Sequence, residues 1–283
     1  MKLKLLKRAI KDFLLRRFTQ CYGWLHPIKK QILFSSYINY SYADSGRMIS
    51  EQMHVLFPDY QLVWLLTNKS DKYHLLPDYI TPVFIDNKLT FYKQLAVSFC
   101  FITNEGITSN IYKRKHQLFI QTWHGDRPFK HVLYEEKLPV GTFRHKIIDN
   151  LVTDFCVSGS NKGTIQYREA FRYQGEIIQE GMPRNDKLIN KNFDTAAIKK
   201  TLQLPADCYV VLYAPTFRDN SFGKQSISVD LIRTLKVLSD KYPQKPWICL
   251  LRAHSCSIGF QEAKTPQQNF VDVSDYPDMT DLL

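Results

Sequence analysis

Ten short apolar runs, separated by longer amphipathic or polar stretches, constrain the fold of this chain more than any other feature. The runs are rich in Val, Ile, Leu and Phe, and they cover residues 32–37, 61–67, 82–85, 99–103, 118–122, 151–157, 176–179, 210–214, 247–251 and 270–273. Apolar and polar residues do not alternate within them, which is typical of strands buried on both faces of a parallel sheet. The regular exchange of such runs with longer stretches therefore predicts an α/β fold.

Four of the intervening stretches are predicted to be helices, at residues 46–56, 160–171, 194–202 and 228–241, with Asp194 as an N-cap. A polar, turn-rich region near residues 183–208 separates two groups of strands, which predicts two doubly wound halves with a cleft between them. The second half is expected to be short, because it offers about three strands where such layers usually have five or six. Its last residues, 276–283, are typical of the start of a helix with a proline near the first turn.

The first 18 residues are predicted to form a basic amphipathic helix. Leu6, Ile10, Phe13 and Leu14 continue an apolar stripe at helical spacing, and the basic residues beside that stripe include Lys4, Lys7, Arg8 and Lys11. The segment has seven basic residues and one acid, so it carries +6 of the net charge of +11. Such a helix is typical of proteins that lie on an anionic membrane surface. An ordinary surface helix packed on the domain is the alternative, and a nucleic-acid arm is disfavoured because no aromatic and glycine interleaving accompanies the charge.

Several protein classes are excluded by what the sequence lacks. No apolar run approaches the roughly 18–20 residues of a membrane span. Lysines and arginines interrupt the N-terminal apolar residues, so a secretory signal is not predicted and the chain is expected in the cytosol. The six cysteines form no CxxC pair and no zinc-like spacing, which predicts reduced structural thiols, with Cys100, Cys156 and Cys249 in the core. GxGxxG, GxSxG and HExxH motifs are absent, which disfavours dinucleotide-binding proteins, serine hydrolases of that type and zinc peptidases.

Small, polar and cationic residues follow the apolar runs repeatedly. They lie at residues 103–106, 124–126, 158–160, 181–186, 215–219 and 252–255. Ligands of open parallel sheets bind outside the carboxyl ends of the strands, so these segments are expected to share an edge. Two histidines, His124 and His254, and three arginines, Arg184, Arg218 and Arg252, make that edge suitable for an anionic ligand. Taken singly, each of these residues has an ordinary explanation as a turn or ion-pair residue.

The segment Ser158-Gly159-Ser160-Asn161-Lys162-Gly163-Thr164 has the composition of a phosphate-binding loop. Its order is Lys-Gly-Thr and not Gly-Lys-Thr, and its spacing does not match a P-loop. A turn that leads into a helix is the alternative interpretation.

Four motifs, taken together and in this order, resemble the CDP-glycerol glycerophosphotransferase family of teichoic acid and capsule synthesis. They are Gln121-Thr122-Trp123-His124-Gly125, Gly181-Met182-Pro183-Arg184-Asn185-Asp186, Leu212-Tyr213-Ala214-Pro215-Thr216-Phe217-Arg218-Asp219 and Leu250-Leu251-Arg252-Ala253-His254. The similarity runs from about residue 32 to the end of the chain. It implies a GT-B-like α/β fold with two Rossmann-like domains facing a cleft: an acceptor-side domain at 31–190 and a nucleotide-donor domain at 191–283, after a membrane-associating segment at 1–30.

The resemblance also implies an activity and a location. The family transfers glycerol phosphate, or ribitol phosphate in related members, from CDP-glycerol or CDP-ribitol to a hydroxyl of a lipid-linked polyprenyl-diphosphate acceptor. CMP is released. Family members are peripheral proteins of the cytoplasmic face of the cell membrane, which agrees with the basic N-terminal segment. No cofactor is implied, and a metal is not obligatory because such transfer depends mostly on positioning and electrostatics.

Residue roles follow from the matched motif positions only. His124 is expected to be the general base that takes the proton of the acceptor hydroxyl. His254, with Arg252, is expected to lie against the donor diphosphate and to stabilise the charge on the departing CMP. Arg184 and Arg218 are expected to neutralise phosphates. Gly125, Asn185 and Thr216 complete the expected substrate-binding set.

One departure from the family keeps alternatives open. Family members continue with a further strand, a Thr-Asp-Tyr-Ser-Ser-type loop at the donor phosphates and more of the second domain, so residues 1–283 are expected to be a fragment that is unstable or inactive alone. A GT-B glycosyltransferase that uses a nucleotide sugar is one alternative. An inactive, membrane-attached protein of a cell-envelope assembly is another. The residues do not choose between glycerol and ribitol.

Overall fold

The computed structural model describes residues 2–36, 41–67, 76–85, 87–106, 111–126, 150–191, 193–215, 229–254 and 269–283. By its internal contacts the chain divides into two compact units, Met1–Ile189 and Asn190–Leu283. The acceptor-side and donor roles that the family resemblance assigns to the two halves stay predictions.

The first unit is built around a parallel sheet. Its helices and strands, in chain order, are α1 (Lys2–Leu25), β1 (Lys29–Ser35), α2 (Asp44–Leu56), β2 (Gln61–Leu66), β3 (Ile80–Phe84), α3 (Lys88–Val97), β4 (Ser98–Thr103), β5 (Leu118–Gln121), β6 (Phe155–Val157), α4 (Asn161–Glu169), β7 (Glu176–Ile178) and α5 (Asp186–Ile189). Among the described residues, seven strands form one sheet in the order β3-β2-β1-β4-β5-β6-β7, and every recorded pairing is parallel. The predicted α/β architecture is confirmed.

Burial on both faces explains why the central strands are continuous apolar runs. Successive side chains of a strand point to opposite faces. On β1, Phe34 packs with Trp64 on one face of the sheet, whereas Leu33 packs with Val63 and Phe119 on the other. All five side chains are at most 1% exposed.

The predicted strand at residues 151–157 is shorter in the structure. Residues 150–152 are helical, and β6 begins only at Phe155. The carboxylate of Asp154 explains the delay: its Oδ2 accepts a hydrogen bond from the main-chain N–H of Phe119 at 2.7 Å, and its Oδ1 pairs with Lys113. Leu151, which the prediction placed in the sheet, is 76% exposed.

Helix α1 is longer than predicted and packs against α3 with its polar and small side chains. Thr19 is fully buried and Asp12 is 8% exposed on the packed face. Six apolar side chains point away from the packed face and are each more than half exposed: Leu6, Ile10, Phe13, Leu14, Trp24 and Leu25. Leu15, Phe18 and Tyr22 are half-buried. Lys7 and Lys11 are exposed as well, whereas the side chains of Lys4 and Arg8 lie outside the description. No helix of the described residues has the length and apolar character that a bilayer crossing requires.

The second unit has its own parallel sheet. Its elements are α6 (Thr195–Thr201), β8 (Tyr209–Tyr213), α7 (Leu231–Lys241), β9 (Trp247–Leu251) and β10 (Phe270–Asp272). Among the described residues, these strands pair in the order β10-β9-β8. The predicted N-cap is confirmed, since Asp194 accepts from the N–H of Ala197 at 2.9 Å, and Asp230 caps α7 in the same way. The predicted C-terminal helix start is one 3-10 turn, Met279–Leu282, with Asp278 as its cap.

Most of the described cysteines behave as core residues. Cys100, Cys156, Cys208 and Cys249 are buried free thiols, and Cys21 is an exposed free thiol. Burial raises the pKa of the Cys100 thiol to about 12 and that of Cys249 to about 11, so both stay protonated at neutral pH. The predicted core placement of Cys100, Cys156 and Cys249 is confirmed, and Cys256 lies outside the described residues.

Candidate active site around the Trp-His-Gly motif

Each unit carries part of the predicted site just beyond the carboxyl end of a strand. His124 follows the end of β5 by three residues, and Arg184 follows β7. In the second unit, Arg252 and His254 follow β9. Thr216 and Arg218 lie outside the described residues.

A strained turn at Trp123 carries His124 away from the sheet. Trp123 has φ 49°, a left-handed conformation that costs a bulky residue about 1–3 kcal/mol. The buried amide of Gln121 holds it: Oε1 accepts from the N–H of Trp123 at 2.9 Å, and Nε2 donates to the carbonyl of Glu105 at 2.6 Å. The Gln121-Thr122-Trp123 part of the motif therefore shapes the turn that presents His124.

The imidazole of His124 is oriented by a main-chain carbonyl. Its Nδ1 lies 2.8 Å from the carbonyl oxygen of Asn104, just beyond β4. A carbonyl oxygen only accepts hydrogen bonds, so Nδ1 carries the hydrogen, and the lone pair of the neutral ring is on Nε2. Asn104 is itself anchored, since its Nδ2 donates to the hydroxyl of Ser36 beside the end of β1 at 3.2 Å. The exposed ring thus has a fixed tautomer suited to accepting a proton at Nε2.

Arg184 supports the same loop from another side. It lies in the 3-10 turn Pro183–Asn185, and its Nη1 donates to the main-chain oxygen of His124 at 2.7 Å. The same nitrogen lies 3.4 Å from Oδ2 of Asp44, whose side chain is 2% exposed at the start of α2. Arg184 therefore holds His124, and its predicted role at a phosphate stays a prediction.

Asn104 and Asp44 were not assigned roles by the sequence. Asn104 acts through its main-chain oxygen, which leaves no signature in residue type. Asp44 gave no local signal, since it lies nine residues beyond the end of β1 and its partner Arg184 is 140 residues away in the sequence.

The two remaining predicted residues of the first unit have simpler surroundings. The N–H of Asn185 closes the 3-10 turn on the carbonyl of Met182 at 2.8 Å, and its side chain is exposed. At Gly125 a Cβ atom would meet no atom within 4 Å, so packing does not require glycine there. Substrate binding by Gly125 and Asn185 stays a prediction.

The segment 158–164 is a turn that leads into α4, which was the second interpretation of that sequence. Ser160 is the N-cap of α4, and its Oγ accepts from the N–H of Gly163 at 3.1 Å. The carboxylate of Asp126 lies over this helix start and bonds to the N–H of Gly159 at 2.7 Å. A carboxylate of the protein thus takes the place that a bound phosphate would need.

Tyr167 is a buried residue of α4 and stays a neutral phenol. Burial is the main cause that raises its pKa; Cys156 and the carboxylate of Asp126 raise it further, and Arg184 lowers it. Its buried hydroxyl has no hydrogen-bond partner among the described residues.

In the second unit, Arg252 ties β9 to the chain that follows β10. Its Nη1 donates to the carbonyls of Val273 at 3.0 Å and Tyr276 at 2.8 Å. His254 is exposed two residues later. Contact of either side chain with a donor diphosphate stays a prediction. Within the described ranges, no group of three or more His, Cys, Asp or Glu side chains is placed to hold a metal ion.

Parallel sheets with polar and basic residues beyond the carboxyl ends of their strands define this protein as an α/β protein with a candidate site at the strand ends. The chain belongs to the CDP-glycerol:poly(glycerophosphate) glycerophosphotransferase family, whose model matches residues 20–283. The family predicted from the four motifs is confirmed, and the match begins earlier than expected because it includes the end of α1.

Comparison with individual proteins agrees with this family membership. The chain is 31% identical, over 269 residues, to a teichoic acid poly(glycerol phosphate) polymerase of Staphylococcus epidermidis, with 89% of this chain and 36% of that protein covered. It therefore spans about a third of that polymerase's length. A solved structure of the wall teichoic acid polymerase TagF has a TM-score of 0.78 and 26% identity, covering 99% of this chain and 72% of its own. The structure of a TagF variant soaked with CDPG has a TM-score of 0.77 and 25% sequence identity, and the match covers 99% of this chain and 71% of that chain. These similarities confirm the predicted α/β, GT-B-like fold.

Proposed function

We propose that this chain is part of a transferase that moves glycerol phosphate from CDP-glycerol to a hydroxyl group of a growing teichoic acid or capsular polymer. Membership of the family and the likeness to a polymerase soaked with CDPG support the donor. The single observation that carries the mechanism is the 2.8 Å contact between Nδ1 of His124 and the carbonyl of Asn104. The finer parts of the proposal are a lipid-linked polyprenyl-diphosphate acceptor, release of CMP, and ribitol phosphate as the alternative group transferred.

The proposed reaction is a single displacement at phosphorus. The acceptor hydroxyl oxygen attacks the phosphorus that bears glycerol, and the bond from that phosphorus to the oxygen of CMP breaks. Nε2 of His124 accepts the proton of the hydroxyl, which makes the oxygen a better nucleophile. CMP leaves with an added negative charge, which Arg252 and His254 are proposed to stabilise. Positioning and electrostatics are the main sources of rate enhancement in such transfers.

The donor assay separates this proposal from its alternatives. We expect the complete transferase that contains this chain, purified and supplied with an acceptor, to release CMP from CDP-glycerol, with UDP-glucose in excess causing no inhibition. A nucleotide-sugar glycosyltransferase would release UDP from UDP-glucose and would leave CDP-glycerol intact. An inactive assembly protein would release nothing from CDP-glycerol, CDP-ribitol or UDP-glucose. The ratio of rates with CDP-glycerol and CDP-ribitol then identifies the alditol.

We also propose that α1 attaches the protein to the anionic cytoplasmic face of the membrane as a peripheral protein. The exposed fractions of Ile10, Phe13 and Leu14 are 52%, 56% and 59%, although they form the apolar stripe of the helix. Lys7 and Lys11 lie exposed beside that stripe. Because α1 packs against α3 through its other face, the apolar stripe is free to insert between the headgroups and acyl chains of a membrane.

A triple replacement tests this attachment. Changing Ile10, Phe13 and Leu14 to serine should weaken binding to phosphatidylglycerol vesicles by at least about tenfold, because each apolar side chain contributes about 1.5–3 kcal/mol when fully buried. Co-sedimentation at fixed ionic strength measures the change. The matched control changes three other exposed apolar residues, at the end of α2, to serine: Val55, Leu56 and Phe57.

The control should bind as the unaltered protein does. Lys7→Glu with Lys11→Glu should also weaken binding, and more at low salt, since each basic residue contributes about 1 kcal/mol at an anionic surface. Equal losses in the α1 and α2 variants would count against attachment through α1.

A further inference from the structure

Asp126, two residues after His124, reaches across to the start of α4. Its Oδ1 accepts hydrogen bonds from the N–H of Gly159 at 2.7 Å and from the hydroxyl of Ser158 at 3.2 Å. Its Oδ2 accepts from the hydroxyl of Ser160, the N-cap of the helix. The carboxylate thus binds three consecutive residues of one turn.

The start of α4 is a favourable place for this carboxylate. The first N–H groups of a helix have no partner within the helix and carry a partial positive charge. Hydrogen bonds to an ionised acceptor are also stronger than those between neutral groups. Ser160 links the carboxylate to the helix, because its hydroxyl donates to Asp126 while its oxygen accepts from the N–H of Gly163 at 3.1 Å.

Two glycines leave the space that the carboxylate fills. A Cβ atom at Gly163 would lie 2.1 Å from Oδ1 of Asp126, which is far inside van der Waals contact. At Gly159 a Cβ would lie 3.4 Å from Cγ of Asp126 and 3.0 Å from Cγ of Met182. Gly163 is therefore explained by the side chain of Asp126 and not by a bound phosphate.

The other end of the His124 turn is attached to the same helix. The ring of Trp123 packs edge-on against Phe171, just beyond the C-terminus of α4, with centroids 4.8 Å apart. Trp123 and Asp126 thus fix the chain on either side of His124.

From this geometry we propose that Asp126 is a positioning residue for His124. Its carboxylate fastens the loop to α4 and so keeps Nδ1 of His124 on the carbonyl of Asn104. The effect on transfer rests on the proposed function, whereas the attachment itself does not. A misplacement of a reacting group by about 1 Å can lower a rate about a hundredfold, so loss of Asp126 should lower kcat more than it raises KM.

The test uses a double-mutant cycle. Asp126→Ala removes the carboxylate, and Gly163→Ala leaves it in the sequence but displaces it sterically. Each should lower kcat for CMP release about tenfold and speed hydrogen exchange of the Gly159 amide about tenfold. The loss in the double variant should be smaller than the two single losses combined, because the clash at Oδ1 no longer exists, although the new Cβ still lies 2.9 Å from the main-chain oxygen of Asp126. Asp126→Asn, which keeps an acceptor oxygen but loses the charge, should be intermediate.

The matched control is Asp230→Ala, since Asp230 also accepts from a helix start but lies in the second unit, at α7. It should leave kcat and the Gly159 exchange rate within about twofold of their original values, as expected of distant, independent sites. A further measurement does not depend on enzymatic activity. Nitrogen chemical shifts of the His124 ring should report the Nδ1–H tautomer in the unaltered protein and a mixture of tautomers in Asp126→Ala.

The outcomes are distinct. If Asp126→Ala leaves the Gly159 exchange rate and the tautomer unchanged, the attachment is wrong. If exchange rises but the tautomer and kcat match those of Asp230→Ala, Asp126 has a structural role only and the positioning role is overturned. If the complete transferase that contains this chain releases no CMP, the proposed function fails, and the exchange rate and tautomer still decide whether Asp126 positions His124.

Discussion

Replacing His124 with glutamine should lower kcat for CMP release by about a thousandfold, because general-base catalysis typically contributes about 10²–10⁴-fold. Glutamine has a side-chain N–H that can still donate to the carbonyl of Asn104, so the local shape is preserved. It has no group that accepts a proton near neutral pH. The expected loss is therefore in kcat, with KM for CDP-glycerol within about threefold, since the interaction lost is made in the transition state.

His26→Gln is the matched control for this substitution. His26 is exposed, stacks on Tyr22 with ring centroids 4.1 Å apart, and belongs to the segment after α1. Its replacement should leave kcat within about twofold, as is usual for surface substitutions. Retention of more than about a tenth of kcat by His124→Gln would exclude His124 as the general base, given the usual size of that contribution.

Much of the fold was predictable because the central strands are buried on both faces. β1, β2 and β4 are interior strands of the sheet, and each contains consecutive apolar residues that are visible locally. The prediction was wrong for the start of the strand at residues 151–157. The first residues of the run at 151–157 stay outside the sheet because Asp154 bonds to the N–H of Phe119, 35 positions away.

Helix α3 was not predicted for a similar reason. Its last residues and β4 together form one continuous apolar run at 95–103, with no local sign of where the helix ends. Gln117 sets that end, since its Nε2 donates to the carbonyl of Leu95 at 2.7 Å and to that of Ser98 at 2.6 Å. Such a contact between distant residues cannot be inferred from either segment alone.

In the candidate site, too, local sequence patterns were predictable and contacts between distant residues were not. His124 and Arg184 were predicted because both follow strands, where ligands of parallel sheets bind. Their partners were not, since Asn104 precedes His124 by 20 residues and Asp44 precedes Arg184 by 140. Asp126 was part of the predicted edge without a role, because its role depends on the helix start that looked like a phosphate loop. Residue type and strand position thus selected His124 and Arg184 as candidates, but not the residues that orient them.

The N-terminal helix adds a case in which pattern and orientation differ. An apolar stripe normally predicts the packed face of a helix. In α1 that face is formed instead by residues such as Asp12, Thr19 and Gly23, and a Cβ atom at Gly23 would lie 2.9 Å from Cδ of Arg114. Arg114 also donates to the carbonyls of His26 and Ala96, each at 2.9 Å, which joins the end of α1 to α3. Packing by small residues and one arginine leaves the stripe outside.

Replacing Trp64 with alanine should lower the free energy of unfolding of the first unit by about 4 kcal/mol, the usual range for deletion of a buried tryptophan being about 3–5 kcal/mol. Trp64 is fully buried on β2, stacks on Phe34 at 5.3 Å and meets Tyr42 edge-on at 4.7 Å. Its Nε1 also donates to the carbonyl of Ser41 at 3.2 Å, so the variant loses a hydrogen bond as well as packing. Denaturant unfolding, followed by hydrogen exchange of the β1 and β2 amides, measures the change.

Two comparisons make this prediction specific to the core of the sheet. Trp24→Ala removes an indole that is 71% exposed and should change the free energy of unfolding by less than about 0.5 kcal/mol. Gly46→Ala should destabilise the unaltered protein, because the new Cβ would lie 3.1 Å from Cη2 of Trp64, and should be tolerated once Trp64 is alanine. Similar losses for Trp64→Ala and Trp24→Ala would contradict the packing of α2 and β1 around Trp64, since only a filled core converts the removal of a side chain into a cavity.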